Sequence, residues 1–271
     1  MVLIAIILGT LVAGIGSVWL AAALSFGVLA RYTQHMLSLA AGALLATAFM
    51  HLLPEAFESQ ASAHQLFATL LIGLVFFFLL DKAELWHHGH EHGGGHSHGA
   101  GHDHDHSHAH SDGHSHESQN RSGGWAVLAG DSVHCFGDGI LIASAFMADM
   151  RLGIVASLAV LAHEVPHHMG DLVVLRQSSN NDQRAAIIKV SMAGAVTALG
   201  GVLGYMLVEQ LYDFLPFFLV LASSSFVYVA LADLIPQLQK RVSPRATAAQ
   251  IAWLLAGIGL VTLISGVAHS H

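Results

Sequence analysis

Two apolar stretches of the chain carry nitrogen, oxygen and sulfur donors at helical spacing. One reads Asp131-Ser-Val-His134-Cys135-Phe-Gly-Asp138-Gly139, the other His163-Glu164-Val-Pro166-His167-His168-Met-Gly170-Asp171. Residues four apart on a helix lie one turn above each other on the same face. His134 therefore pairs with Asp138, and His163 with His167. A second stripe lies one position further on: Cys135 on the first helix, then Glu164, His168 and Asp171 on the second. Ionisable side chains inside a bilayer are costly and mark a pathway or a site. Donors concentrated at matching depth on two adjacent helices describe an intramembrane site for a metal ion.

Two plainer readings compete with this one. Any one of His134, Asp138, Glu164 and Asp171 could be polar glue between helices. For all of them together it is a poor reading, because each unpaired carboxylate at bilayer depth costs about 2–3 kcal/mol on insertion scales, and a bound divalent cation offsets that; glue is then a minor component of a site. The second competitor is catalysis. His163-Glu164-Val-Pro166-His167 matches the H-E-x-x-H pattern of zinc peptidases, in which two histidines hold zinc and the glutamate is the base. An intramembrane zinc metalloprotease is thus the alternative. Against it, Pro166 removes a backbone hydrogen bond and kinks the helix, and the neighbouring helix adds more ligands than one catalytic zinc needs. Pro166 also leaves the Ala162 carbonyl without its usual donor, a further oxygen for an ion or water.

The elements that position these donors follow from composition. The chain has 271 residues, 54% hydrophobic and 10% charged, against about 25% charged in soluble domains. It reads as an all-α, polytopic integral membrane protein. Eight segments reach the roughly 20 apolar residues a spanning helix needs: about 2–24, 37–55, 66–86, 124–147, 152–175, 187–209, 215–236 and 250–268. The first has no basic residue before it and is long for a signal-peptide core, so it is expected to be a retained span. Small residues such as Gly42, Gly194, Gly200 and Ser223 to Ser225 suit close helix approach in lipid. Cys135 is the single cysteine, which excludes an intrachain disulfide and a CxxC zinc site.

Charge sets the orientation. With eight spans and both ends on one side, the odd-numbered loops hold Arg31, Lys82, Arg121, Arg176, Arg184, Lys189, Lys240, Arg241 and Arg245, and the opposite side only Arg151. Loops rich in Lys and Arg stay cytoplasmic, so both termini are expected to be extracytoplasmic. The organisation is then transmembrane helices 1–3 in residues 1–86, a cytoplasmic loop at 87–123, and helices 4–8 in residues 124–271, with the metal site in helices 4 and 5.

The 87–123 loop is low in complexity, with thirteen histidines between His87 and His116, many alternating with Asp, Ser or Ala. It cannot bury a core and is expected to be disordered without metal. Imidazole suits zinc, copper, nickel and iron, so weak multi-site metal buffering is the preferred reading over a solvated spacer or a tag. His51 and Glu55, again four apart, end the second span on the outer side. With Glu58, and no Lys or Arg nearby, they could form an entrance that attracts cations, or simply an interfacial helix end. Asp233 lies near the inner end of the seventh span, as an exit ligand or a helix-end partner of Lys240. His269 and His271 could bind metal weakly from the tail, and Asp149 and Asp213 read as caps.

These stretches resemble the Zrt- and Irt-like (ZIP) family of divalent metal transporters, near its His-rich, LIV-1-like branch. The matching residues are Ala41-Gly42 through His51-Leu-Leu-Pro54-Glu55, then His134-Cys-Phe-Gly-Asp138-Gly139, His163-Glu-Val-Pro-His167-His-Met-Gly-Asp171, and Tyr228-Val-Ala-Leu-Ala-Asp233. The resemblance implies uptake of zinc into the cytosol, through a binuclear site between helices 4 and 5. His134, Asp138, His163 and His167 would form the primary site, with Cys135 and Glu164 in its neighbour. It also implies a homodimer and elevator-like movement of one helix bundle against another. Many members carry Asn at position 135 and Glu at position 168. A Cys135 thiolate would favour zinc over manganese, and a protonated thiol would weaken the second site.

The expected activity is therefore transport of a divalent cation, zinc first, with Fe2+, Mn2+, Cd2+, Co2+ and Ni2+ as other candidates. The protein is expected in a cell membrane, inner or plasma, with the lipid bilayer as its surroundings and no nucleic acid as partner. No enzymatic activity is expected. Cations would gather at His51 and Glu55, bind between helices 4 and 5, and leave by Asp233 towards the His-rich loop. Protons compete for imidazole, whose ordinary pKa is about 6.5, so acidification should weaken uptake. A cation-diffusion-facilitator exporter is disfavoured by eight rather than six spans, and a pure metal sensor needs no intramembrane ligands.

Overall fold

The structure, a computed structural model, describes residues 1–25, 33–89, 116–178, 182–239 and 243–268. Among the described residues all regular structure is helical. In chain order the rods are α1 (Val2–Leu24), α2 (Thr33–Phe57), α3 (Ala63–Gly89), α4 (His116–Ala148), α5 (Met150–Ser178), α6 (Gln183–Gln210), α7 (Tyr212–Leu238) and α8 (Pro244–Ala268). Each segment expected from apolar length falls inside one rod. Six rods are long and apolar enough to cross a membrane: α1, α2, α3, α6, α7 and α8. The other two, α4 with 33 residues and α5 with 29, have the length. What lowers their apolarity is the donor set itself. The molecule is a polytopic, all-helical membrane protein.

The rods overrun the expected spans because polar flanks continue a helix beyond its apolar stretch. Thus α3 runs to Gly89 and α4 starts at His116, reaching into both ends of the expected 87–123 loop. Residues 90–115 of that histidine-rich loop lie outside the described residues, as do Arg31, Lys240, Arg241, His269 and His271. Asp149 does cap α5: its Oδ1 accepts the Arg151 N–H at 2.8 Å. Asp182 does the same for α6, accepting from the backbone of Arg184 and Ala185.

Polarity is inverted relative to a soluble bundle. Exposed positions include Ile4, Leu8 and Trp19 on α1, Phe76 and Leu79 on α3, and Leu255 and Leu263 on α8. Asp131, Asp138, His163, Glu164 and His168 are buried. Lipid solvates the first kind of surface but not the second. The helices associate in two groups, α1 with α4, α5 and α6, and α2 with α3, α7 and α8, meeting chiefly where α2 lies on α5 and α7 on α4.

Close packing of α4 on α6 depends on missing side chains. A Cβ added to Gly139 would strike the Thr197 carbonyl, and one added to Gly200 the Phe136 carbonyl. These backbones approach as only glycine permits. Proline shapes two other rods. Pro54 in α2 and Pro236 in α7 each follow a π-helical turn, Ala48–Leu52 and Val229–Leu234. The wider turn relieves the clash between the pyrrolidine ring and the carbonyl four residues back. Pro166 sits inside α5 without breaking it. A third π-helical turn, Val12–Gly16 in α1, has no proline.

The Gly139–Gly200 contact generates a stability prediction. Gly200→Leu should overpack α4 against α6 and destabilise the protein by about 1–3 kcal/mol or more. Thermal unfolding in detergent would show it, with Gly259→Leu, where an added Cβ meets open space, as the neutral control.

Candidate metal centre

Helices α4 and α5 face one another along the donor stripes, and the described donors gather into three overlapping groups. The first holds His134, Asp138, His163 and Glu164; the second Asp131, Cys135, Glu164 and His168; the third Asp131, His167, His168 and Asp171. Within each group one ligand atom per residue lies within 4.8 Å of every other.

Four separations within the first group match those of a zinc shell. Ligands about 2.0–2.1 Å from a tetrahedral zinc lie about 3.3–3.4 Å from one another. Here His134 Nε2 is 3.4 Å from His163 Nε2 and 3.3 Å from Glu164 Oε1. His163 Nε2 is 3.3 Å from Asp138 Oδ2 and 3.2 Å from Glu164 Oε1. The looser edge is His134 Nε2 to Asp138 Oδ2, at 3.9 Å. At His163, Nδ1 lies 3.3 Å from the Ala159 carbonyl. A carbonyl only accepts, so Nδ1 carries the hydrogen and Nε2 keeps its lone pair for the group.

Glu164 joins the first group to the second through its two oxygens. While Oε1 faces His134 and His163, Oε2 lies 3.1 Å from His168 Nε2 and 3.9 Å from Cys135 Sγ. The second group is completed by Asp131 Oδ1, 3.6 Å from Cys135 Sγ and 3.5 Å from His168 Nε2. A carboxylate spanning two donor sets in this way can bridge two cations. The third group reuses Asp131 and His168. His167 Nδ1 approaches Asp171 Oδ2 at 3.3 Å and Asp131 Oδ1 at 3.6 Å.

The structure revises the expected partition. His167 does not join His134, Asp138 and His163; Glu164 takes that place. The His167 ring stacks on His134, with centroids 5.5 Å apart, and turns Nδ1 down the helix towards Asp171. Cys135 and Glu164 fall together in the second group. Asp131 had no role assigned from sequence, although it stands one turn before Cys135 on the same stripe; that spacing was the available signal. The remaining expected residues lie apart. His51 and Glu55 belong to none of the three groups, and His51 Nδ1 lies 3.4 Å from Ser265 Oγ on α8. Asp233 accepts from Gln237 Nε2 at 2.9 Å.

A cavity of about 510 Å³ adjoins the ladder of donors. It reaches from His134 and His163 past Asp131, His167 and Asp171 to Asp81, Tyr228, Asp233 and Gln237 near the ends of α3 and α7. Thus Asp233 shares a solvent-sized space with the groups without belonging to one. Pro166 and Gly170 line the same space, and a Cβ on Gly170 would meet nothing within 4 Å.

Fold and site together define a polytopic membrane protein with a buried run of His, Asp, Glu and Cys side chains that could hold a metal ion. A family model described as ZIP zinc transporter matches residues 1–265, and the chain belongs to that family. Zinc transporter ZIP13 of Pongo abelii is 26% identical over 285 residues, covering 96% of this chain and 77% of the relative. Zinc transporter ZIP4 of Homo sapiens is 32% identical over 142 residues, 52% of this chain and 21% of its own length. Zinc transporter SLC39A7 of Rattus norvegicus is 32% identical over 158 residues, 55% of this chain and 33% of its own. The protease alternative finds no support. His163 and His167, which would have to hold one zinc together, fall in different groups, and Glu164 lies among the ligands rather than beside them.

The bridging geometry makes Glu164→Gln informative. Volume is kept while the shared charge is lost, so zinc titration should show affinity falling by more than about tenfold, the lower end of what even outer-shell losses cost. The helical content should be unchanged.

Proposed function

We propose that the chain carries zinc across a cell membrane into the cytosol, passing the ion along the three donor groups between α4 and α5. The observation that carries this reading is that neighbouring groups share ligands. Glu164 belongs to the first and second, and Asp131 and His168 to the second and third. An ion moving down the ladder can engage a ligand of the next group before leaving the last. Transit needs binding strong enough to replace water but divided over several sites, so that the ion can leave.

Direction follows from charge. In this reading α4 and α5 cross the bilayer with the six more apolar helices, giving eight spans. The nine-to-one division of Lys and Arg then puts both termini outside. Asp138 and His163 lie towards the outside, Asp131 and Asp171 towards the cytosol. The cavity running to Asp81 and Asp233 is then the cytosolic exit, and the histidine-rich 87–123 stretch receives the ion. His51 and Glu55, with Glu58, collect cations on the outer side. The working unit is a homodimer, as the family resemblance implies. Imidazole and thiol donors favour zinc and cadmium over manganese, with iron, cobalt and nickel between.

Purified protein in liposomes tests the assignment. His134→Ala/His167→Ala should abolish most zinc uptake, and uptake unchanged in that double variant would sink the site assignment. Acidification should slow uptake, since protons compete with the cation for ligand lone pairs; rates measured across a pH series check the sign. Gly170→Leu should fill the exit cavity and cut flux severalfold while zinc binding persists. Equal flux in that variant would place the exit elsewhere.

A further inference from the structure

Ser17, on α1, touches the donor ladder from outside the α4–α5 pair. It follows directly on the π-helical turn Val12–Gly16 and is fully buried. Its Oγ lies 2.5 Å from the Gly14 carbonyl and 3.0 Å from His168 Nδ1. A hydroxyl has one hydrogen, and a carbonyl oxygen can only accept. The short contact to Gly14 therefore takes the Ser17 hydrogen. The hydroxyl lone pair is left facing His168, so Nδ1 must bring the hydrogen to that contact.

We infer that Ser17 is a positioning residue: it holds His168 in the Nδ1–H tautomer and presents Nε2 as the single cation-binding nitrogen of that ring. Nε2 is the atom aimed at the other ligands, 3.1 Å from Glu164 Oε2 and 3.5 Å from Asp131 Oδ1. A histidine that binds metal through one nitrogen is commonly oriented by a hydrogen bond at the other. His163 has its equivalent within α5, at the Ala159 carbonyl. His168 instead takes its partner from a different helix, so the seating of α1 sets the register of the second and third groups.

One lone pair serves two groups. A cation in the second group that uses His168 Nε2 withholds it from the third, and the reverse. These two positions are therefore filled alternately rather than together, which favours hand-over of one ion. The inference rests on the proposal that the groups bind the transported cation.

Histidine side-chain nitrogen NMR on the metal-free, full-length protein in lipid nanodiscs tests it, with His168→Gln providing the assignment. His168 should show Nδ1 protonated and Nε2 bare, and Ser17→Ala should give a mixture of tautomers. Zinc titration of Ser17→Ala should show affinity at the second group reduced about 10- to 100-fold, as for other outer-shell losses. Ser17→Thr, which keeps the hydroxyl, should recover most of it. In a His168→Gln background Ser17→Ala should change nothing. The inference is overturned if wild-type His168 carries its hydrogen on Nε2, or if the Ser17→Ala loss persists without His168. Should Ser17→Ala fail to fold, the wild-type spectrum alone decides. A wild type that binds no zinc would overturn the transport reading instead, and the tautomer would still judge Ser17.

Discussion

A carboxylate held inside a helical bundle at bilayer depth needs positive charge, and this protein buries Asp131 and Asp138 each within 4.8 Å of a third buried carboxylate, Glu164. What faces them is mostly imidazole, with a thiol. Neutral imidazole satisfies a carboxylate poorly, since it supplies one hydrogen and one lone pair. At His163, and by inference at His168, the hydrogen is already committed elsewhere, to Ala159 or to Ser17. Lone pairs therefore converge on lone pairs, an arrangement that favours occupancy by a cation. A proton or a divalent metal ion can meet that demand, and competition between the two is built into the site.

The rest of the architecture serves that demand. Glycine contacts let α4 lie flush on α6 while its donor stripe meets α5. Pro166 interrupts the backbone ladder beside the donors without ending α5. The π-helical turn in α1 carries Ser17 to His168, and those in α2 and α7 accommodate prolines in the second helix group. Glu164 is the hinge of the chemistry, because its two oxygens face different donor sets. A peptidase would need that carboxylate free to activate water. Here its two oxygens face four other donors, His134, His163, His168 and Cys135.

Much of this was legible in the residues. The eight helical segments follow from apolar length, because lipid requires about 20 apolar residues for each crossing, and each expected segment lies within an observed rod. The four-residue spacing of a helix pairs His134 with Asp138 and aligns Glu164 with His168, and both pairs fall in one group each, whereas His163 and His167, paired by the same spacing, fall in different groups. The exact helix ends were less legible, since hydropathy reports where lipid is tolerated rather than where backbone hydrogen bonding stops.

Sequence by itself determined the membrane class, the two donor helices and nearly all of the donor inventory, since helical period and apolar length are local properties of the chain. Tertiary structure alone decided how those donors divide. It set Glu164 against His134 and His163, sent His167 to Asp171, and gave Asp131 a place between Cys135 and His168. It also brought Ser17 to His168 across 151 positions of sequence. These outcomes depend on how helices rotate and seat against one another, and that is settled by packing contacts between residues far apart in the chain.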